Sequence, residues 1–271
     1  MRHPTTSAGF TVVELLVVMA MIGLMAALFL PVLDKGKRNA EAIYDLNNNK
    51  QILAAAAMYA GENEDYLPQP GWGSTVACWA AGADVPPSRQ PGTAANYPPT
   101  LRKQLEYFHR GQLFSYLKDE ALLTCPADTP QNALFLKRSM YISSYVWNAA
   151  VIGFPVKPPP GKFPPTFRLR DFRPEAILQW EADENRPDSF DDFSNYPDQG
   201  ISGRHGNAAT VGRFDGGAQR LARGHYSDHA GAQAADFAHA GIGWKRSRVP
   251  APNWLWCSPV HKGVPESAPG D

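Results

Sequence analysis

The sequence predicts an α+β protein in which a long N-terminal hydrophobic helix precedes a head built on an antiparallel sheet with long loops. Residues 10–33 form an apolar stretch whose only charged member is Glu14, and good helix formers continue to residue 61. Two strand-like runs flank Asp215-Gly216-Gly217 near the other end of the chain. Pro and Gly contribute 25 and 23 of the 271 residues, which indicates long loops.

The composition excludes several classes of protein. The 26 basic residues balance the 26 acidic ones, so the basic excess of a nucleic-acid-binding surface is missing. The hydrophobic fraction of 44% can supply a core and argues against wholesale disorder. Three cysteines are too few for a disulfide scaffold. Cys78, Cys125 and Cys257 could form one bond in any of three pairings, or all could be free thiols.

The first element is predicted to anchor the chain in a membrane. A helix of about 20 apolar residues spans a bilayer, and residues 10–33 exceed that length. A secretory signal would place a small-residue cleavage site after the run, whereas this run continues into a charged flank at residues 34–38. Pro31 and Gly36 are the expected points of kinking or local melting.

The helix is predicted to continue beyond the membrane as an amphipathic segment over residues 34–61. Its apolar residues fall near one helical face: Ile43, Leu46, Leu53, Ala57 and Ala60. Gly61 is the expected C-cap. The segment therefore predicts a helix from about Thr11 to Ala60 whose second half carries the head.

Glu14 does not suit a simple anchor, because a carboxylate in hydrocarbon is costly and usually has a partner or a function. Gly9-Phe10-Thr11-Val12-Val13-Glu14-Leu15-Leu16-Val17 resembles the cleavage and methylation signature of type IV prepilins and type II secretion pseudopilins. The resemblance implies a pilin-like fold, cleavage after Gly9 and N-methylation of Phe10. Glu14 would then be the family's acidic fifth residue, and Pro31 would match a helix-kinking proline common in pilins.

The same resemblance implies an organisation, a location and partners. Residues 1–9 would be a removed leader, 10–33 the transmembrane and assembly helix, 34–61 its amphipathic continuation and 62–271 the head. The implied partners are a prepilin peptidase/N-methyltransferase and other pilins or pseudopilins, including copies of this chain in a helical filament. The implied location is the bacterial inner membrane, crossed once, with the head periplasmic, or extracellular once assembled.

Periodicity and turn signals predict the elements of the head. Apolar residues at helical spacing over residues 101–117 predict two short helices divided by Gly111. The remaining predicted elements are a turn at 125–128, strands at 139–147 and 176–182, a proline-rich loop at 155–165, a hairpin of 207–214 with 218–222, a short helix within 225–239 and a terminal segment at 245–271.

The hairpin carries a second resemblance. His205, followed by nine residues and then Asp215-Gly216, resembles an H-x9-D-G box near the C-terminus of a large bacterial group of prepilin-like proteins. The motifs at 64–68, 125–128 and 144–148 also resemble that group. His205 and Asp215 could hydrogen-bond across the base of the hairpin, and a structural role for the histidine, which would orient a loop, is favoured over catalysis.

Two further clusters suggest metal ligands. An acid-rich stretch offers hard oxygen ligands suited to Ca²⁺, with candidates Asp183, Glu184, Asp188, Asp191 and Asp192. Pseudopilins often use a calcium loop, although the spacing here is not that of an EF-hand and a solvated acidic loop is the favoured interpretation. His225 and His229 could share a helix face as zinc ligands, but a polar surface helix is favoured there.

The sequence carries no nucleophile elbow, Walker loop or dinucleotide fingerprint, so we expect no enzyme. The leading hypothesis is a structural pilin or pseudopilin. The alternative is a membrane-tethered binding module, for example for carbohydrate, that uses the helix only as an anchor. Its candidate stacking residues are tryptophans in loop-like contexts, although core packing is the commoner role: Trp72, Trp79, Trp244, Trp254 and Trp256.

Overall fold

The structure is a computed structural model that describes residues 10–71, 73, 75–87, 93–132, 134–152, 166–172, 174, 176–195 and 199–222. Contacts divide the chain into two compact units, Met1–Glu41 and Ala42–Asp271. The predicted leader with Gly9, the whole proline-rich loop at 155–165, and the segments predicted at 225–239 and 245–271 lie outside the described residues.

Helix α1 spans Val12–Glu62, which confirms the long N-terminal helix. It ends slightly later than predicted, so Gly61 lies inside the helix rather than capping it. The helix also continues through Pro31 and Gly36, and the predicted local melting is therefore wrong. Proline removes one backbone donor, and in a long helix the turns on either side sustain the cooperative structure.

In the first unit, the apolar side chains of α1 are exposed. The large hydrophobic residues between Phe10 and Leu33 are 42% to 74% exposed. Among the described residues, α1 is the one helix long and apolar enough to cross a membrane. Charged pairs follow this stretch, with Arg38 2.6 Å from Asp34 and Lys37 3.7 Å from Glu41. This arrangement fits an apolar span followed by an aqueous flank.

In the second unit, α1 buries one face, and that face is partly polar. Its buried residues are Ala42, Asp45, Asn48, Asn49, Ile52, Leu53, Ala55, Ala56 and Ala60. Ile43 and Ala57, predicted to face the core, are exposed. An apolar pattern could not select the true face, because three of the buried side chains are polar.

The head contains a five-stranded mixed sheet in the order β3-β1-β2-β4-β5. The strands are β1 Tyr145–Asn148, β2 Ile177–Glu181, β3 Ser194–Asn195, β4 Ala208–Arg213 and β5 Ala218–Ala222. Neighbours pair antiparallel except β1 and β3, which are parallel. The α+β layout is thus confirmed, while the prediction of a wholly antiparallel sheet is corrected at the two-residue strand β3.

The head also contains short helices. The α-helices are α2 Tyr97–Phe108 and α3 Phe114–Leu117, and 3₁₀ turns occupy Glu120–Leu123, Phe135–Lys137, Ala149–Ile152, Leu169–Asp171 and Pro187–Phe190. Gly111 separates α2 from α3 as predicted. A Cβ on Gly111 would lie 2.8 Å from the Ala81 nitrogen, so only glycine allows this backbone approach.

Strand β2 is buried along its whole length, as its apolar sequence predicts. Strand β1 is shorter than the predicted run, because the Met140 amide bonds the carbonyl of Phe190 outside the sheet. Trp79 stacks on Trp147 with ring centroids 5.3 Å apart and is fully buried. Trp79 is therefore a core residue and not a sugar-stacking surface; Trp72, Trp244, Trp254 and Trp256 lie outside the described residues.

Candidate functional site

Glu14 closes the first turn of α1. Its Oε2 accepts hydrogen bonds from the Thr11 amide at 2.8 Å and the Thr11 hydroxyl at 2.7 Å. In return, the Glu14 amide donates to Thr11 Oγ1 at 3.2 Å. This reciprocal arrangement is a capping box, which satisfies donors that a helix start leaves open. Threonine three residues before glutamate signals this capping box in the sequence, whereas the family resemblance implies only an assembly role for Glu14.

His205 and Asp215 do not meet. Strand β4 lies between them, and its six residues span about 20 Å at about 3.3 Å per residue. His205 precedes β4 at the open end of the hairpin, whereas Asp215 and Gly216 form the turn at its tip. The predicted hydrogen bond across the hairpin base is therefore wrong.

Asp215 organises the hairpin turn. Its Oδ2 lies 2.7 Å from Arg213 Nη2, and its Oδ1 accepts from the Gly217 amide at 2.8 Å. The hydrogen bond from Arg213 holds the pKa of Asp215 below its usual range. Gly216 adopts a φ of 81°, which a residue with a side chain rarely adopts. Asp215 and Gly216 of the box therefore stabilise the turn of the hairpin.

His205 belongs instead to a buried cluster that we call the polar core: Asp45, Cys125, Glu181 and His205. Asp45 comes from α1, Cys125 from the turn after the Glu120–Leu123 helix, and Glu181 from the end of β2. His205 Nε2 lies 3.2 Å from Cys125 Sγ, 3.5 Å from Glu181 Oε1 and 3.7 Å from Asp45 Oδ2. One ligand atom from each residue lies within 4.8 Å of the other three.

Other buried groups orient these side chains. The Tyr145 hydroxyl donates to Asp45 Oδ1 at 2.5 Å. Glu181 accepts from Arg204 Nη1 at 3.1 Å and from the Thr210 amide at 2.9 Å. Asp45 Oδ2 is buried and accepts no hydrogen bond. The polar core therefore holds one carboxylate oxygen that accepts no hydrogen bond, although His205 Nε2 lies 3.7 Å from it.

A buried ion-pair network adjoins the polar core. Arg138 makes two hydrogen bonds to Asp128, at 2.7 and 2.9 Å, and Ser144 Oγ donates to Asp128 at 2.7 Å. Arg204 Nη2 lies 3.3 Å from Asp128 and so links this pair to Glu181. The Arg138 guanidinium also lies 3.6 Å from the ring centroid of Phe190. Two cations thus face two carboxylates away from water.

Burial is the largest single influence on the pKa values of Asp45, Cys125 and His205. It raises the pKa of Asp45 to about 6, with a further contribution from the charge of Glu181. Burial also raises the pKa of the Cys125 thiol. For His205, burial acts to lower the pKa, but hydrogen bonding and charge from Glu181 outweigh it and raise the pKa. Glu181 differs from Asp45, because burial acts to raise its pKa but His205 and Arg204 outweigh burial and lower it.

The acid-rich stretch is engaged elsewhere. Asp183 accepts from Asn185, Glu184 from the Gly203 amide, and Asp188 from Arg186. Asp192 accepts from the amides of Gly73 and Ser194, and burial raises its pKa to about 7; burial also raises the pKa of Asp191. Among the described residues, the one set of three or more potential ligands within 4.8 Å is the polar core. Calcium binding at these acids stays a prediction.

Cys78 and Cys125 are buried free thiols, so they do not pair with each other. Burial raises the pKa of Cys78 to about 12. Cys257 lies outside the described residues. Both described cysteines occupy core positions rather than a disulfide.

Comparisons with protein-family models, with curated proteins and with solved structures gave no match. Interpretation of the chain therefore depends on its own residues. His205 is identified by its resemblance in sequence, whereas its neighbours Asp45, Cys125, Glu181 and Arg204 emerge only from the structure. Arg204 directly precedes His205, but Asp45, Cys125 and Glu181 are far from it in sequence, and no local spacing signals that the fold joins them.

Proposed function

We propose that this chain is a structural subunit, a pilin or pseudopilin, of a type IV pilus or type II secretion-like filament. In this proposal a prepilin peptidase cuts after Gly9 and methylates the new N-terminus at Phe10. The observation that carries the proposal is an exposed apolar stretch, residues 10–33, with one carboxylate, Glu14, at the fifth position of the chain that would start at Phe10. The processed subunit would be held in the bacterial inner membrane until it is assembled.

The exposed surface of α1 supports an assembly role. Apolar side chains that are 42% to 74% exposed require either lipid or other helices around them. In a bilayer the same helix can exchange lipid contacts for helix contacts, which makes a membrane-held pool of subunits compatible with later packing. Head-to-tail contacts between identical subunits then generate an open helical filament.

Glu14 would set the register of that packing. Cleavage before Phe10 would create an amine, and a carboxylate near the start of a neighbouring helix is its natural partner in a low-dielectric layer. The hydrogen bonds from Thr11 hold the Glu14 carboxylate at the first turn, which is where such an amine would lie. The capping box would therefore position the group that assembly uses.

Three variants separate assembly from helix capping. Glu14→Gln keeps an acceptor suitable for the capping box but removes the charge, whereas Glu14→Ala removes both. Glu41→Gln is the matched control, because Glu41 is an acid of the same helix outside the apolar stretch. We expect all three proteins in the inner membrane, with strong loss from the sheared filament fraction only for the two Glu14 variants. Normal incorporation of Glu14→Ala would contradict the proposal.

A further inference from the structure

We infer that Asp45, Cys125, Glu181 and His205 form a zinc-binding site that staples helix α1 to the sheet of the head. The inference is independent of the filament proposal, because it concerns contacts within one compact unit of the chain. One oxygen from each carboxylate, one sulfur and one imidazole nitrogen make a four-ligand set. Cys, His, Asp and Glu each ligate zinc, and a site whose four positions are all filled by protein is closed, as structural zinc sites are.

The distances suit a tetrahedral ion. Zinc–ligand bonds of about 2.0–2.3 Å place neighbouring ligand atoms about 3.3–3.8 Å apart in a tetrahedron. His205 Nε2 lies 3.2, 3.5 and 3.7 Å from the sulfur of Cys125 and the oxygens of Glu181 and Asp45. The remaining separations stay within 4.8 Å. Small side-chain movements would therefore bring all four atoms onto one ion.

A single proton on His205 cannot provide hydrogen bonds to all of its neighbours in the polar core. His205 Nε2 faces three potential acceptors, yet an imidazole nitrogen carries at most one hydrogen. Asp45 Oδ2 is left without a hydrogen bond although Asp45 is fully buried. A buried carboxylate oxygen without a hydrogen bond is costly, and a cation at the centre of the cluster would satisfy it together with the other ligand atoms.

The charges and neighbours suit a divalent ion. Two carboxylates and a thiolate would leave Zn²⁺ with one excess negative charge, which Arg204 neutralises from 3.1 Å at Glu181. Tyr145 and the Thr210 amide hold the second oxygens of Asp45 and Glu181, which is how surrounding groups orient metal ligands. Sulfur and imidazole ligands favour zinc over calcium or magnesium.

The full chain in detergent tests the inference. The protein is stripped with a chelator in denaturant and refolded with Zn²⁺, with Co²⁺ or without metal. We expect about one bound metal per chain, a higher melting temperature with Zn²⁺, and with Co²⁺ a thiolate charge-transfer band and tetrahedral d–d bands. The metal content of protein purified without chelator gives a second readout that does not depend on refolding.

Cysteine variants locate the ion. Cys125→Ser should abolish the charge-transfer band and weaken zinc binding at least about tenfold. Cys78→Ser is the matched control, because Cys78 is the other buried free thiol of the described chain, and Cys257→Ser tests the remaining thiol. Both should keep the band. Substoichiometric metal in native and refolded protein, a band that survives Cys125→Ser, or a band lost in Cys257→Ser would overturn the inference.

Discussion

At the residue scale, Asp128 is held as an anion by two buried arginines. Burial alone would raise its pKa, but the charges of Arg204 and Arg138 outweigh burial and hold the pKa below its ordinary value of 3.8. Removing one partner of a buried pair leaves an uncompensated charge, which typically costs about 3–5 kcal/mol. Asp128→Asn should therefore lower the free energy of unfolding by about that amount at pH 7, measured by denaturant titration of the full chain in detergent.

The pH dependence follows from the direction of that shift. A carboxylate with a depressed folded-state pKa stabilises the fold above its unfolded pKa, and the stabilisation is lost as pH falls through the folded-state pKa. The difference between wild type and Asp128→Asn should thus shrink below about pH 4. Asp188→Asn is the control, because Asp188 pairs with Arg186 at the surface and should cost less than about 1 kcal/mol. A cost for Asp128→Asn as small as that of the control would contradict the account.

Single residues were predictable from sequence only where their partners are local. Asp215 and Gly216 follow from turn chemistry, and their partners Arg213 and Gly217 are two or fewer residues away. His205 was singled out by resemblance, but its partners come from α1, a turn and β2, up to 160 positions away in the chain (205 − 45 = 160). Long-range pairing of polar side chains leaves no periodic trace.

At the element scale, Gly111 allows α2 and α3 to pack beneath residues 78–82. The Gln112 amide bonds the Cys78 carbonyl at 2.8 Å, and a Cβ on Gly111 would lie 2.8–3.1 Å from backbone atoms of Ala80 and Ala81. Because backbone cannot yield as a side chain can, we expect Gly111→Ala to destabilise the head by about 2 kcal/mol or more. Thermal unfolding followed by tryptophan fluorescence measures the loss.

Gly61→Ala provides the matched comparison. Gly61 lies in the last turn of α1 with open space around it, so alanine should raise stability by up to about 1 kcal/mol. Equal effects of the two substitutions would show that Gly111 is not held by its backbone contacts.

A chain of buried amides attaches α1 to the sheet. Gln179 Nε2 donates to Asn49 Oδ1 at 2.6 Å, and Gln179 Oε1 accepts from Trp147 Nε1 at 2.8 Å. Gln179→Met would leave both partners unsatisfied, so we expect a loss of at least about 2 kcal/mol in the free energy of unfolding by denaturant titration. Gln219→Met is the control, because Gln219 is exposed on β5, and it should change the free energy of unfolding by no more than about 0.5 kcal/mol. If the two variants lost similar amounts of stability, the buried amide chain would not be what stabilises the attachment.

Elements were predictable where one local signal dominates. The D-G step gives the β4–β5 hairpin, the apolar run gives β2, and Gly111 gives the break between α2 and α3. Strand β3 is two residues long and pairs in parallel with β1. No turn signal in the sequence predicts this pairing. The polar buried face of α1 was likewise hidden, because amphipathic patterns assume that the buried face is apolar.

At the scale of the whole molecule, the two units differ in how their apolar residues are buried. The first unit exposes apolar helix surface that water does not tolerate, and the second has its own core of packed strands and helices. Composition and hydropathy predict this contrast from the sequence. Whether the chain joins a filament does not follow from the fold. In the proposal it depends on cleavage between Gly9 and Phe10.

Mass spectrometry of that junction tests the central claim most directly. Sheared extracellular fibres and the washed cell envelope would be digested and searched for semi-tryptic peptides that begin at Phe10. The account predicts N-methylated Phe10 as the first residue of the chain, with abundant processed protein in the fibres for a surface pilus or in the envelope for a secretion pseudopilus. An intact leader of residues 1–9 in every fraction would contradict the account.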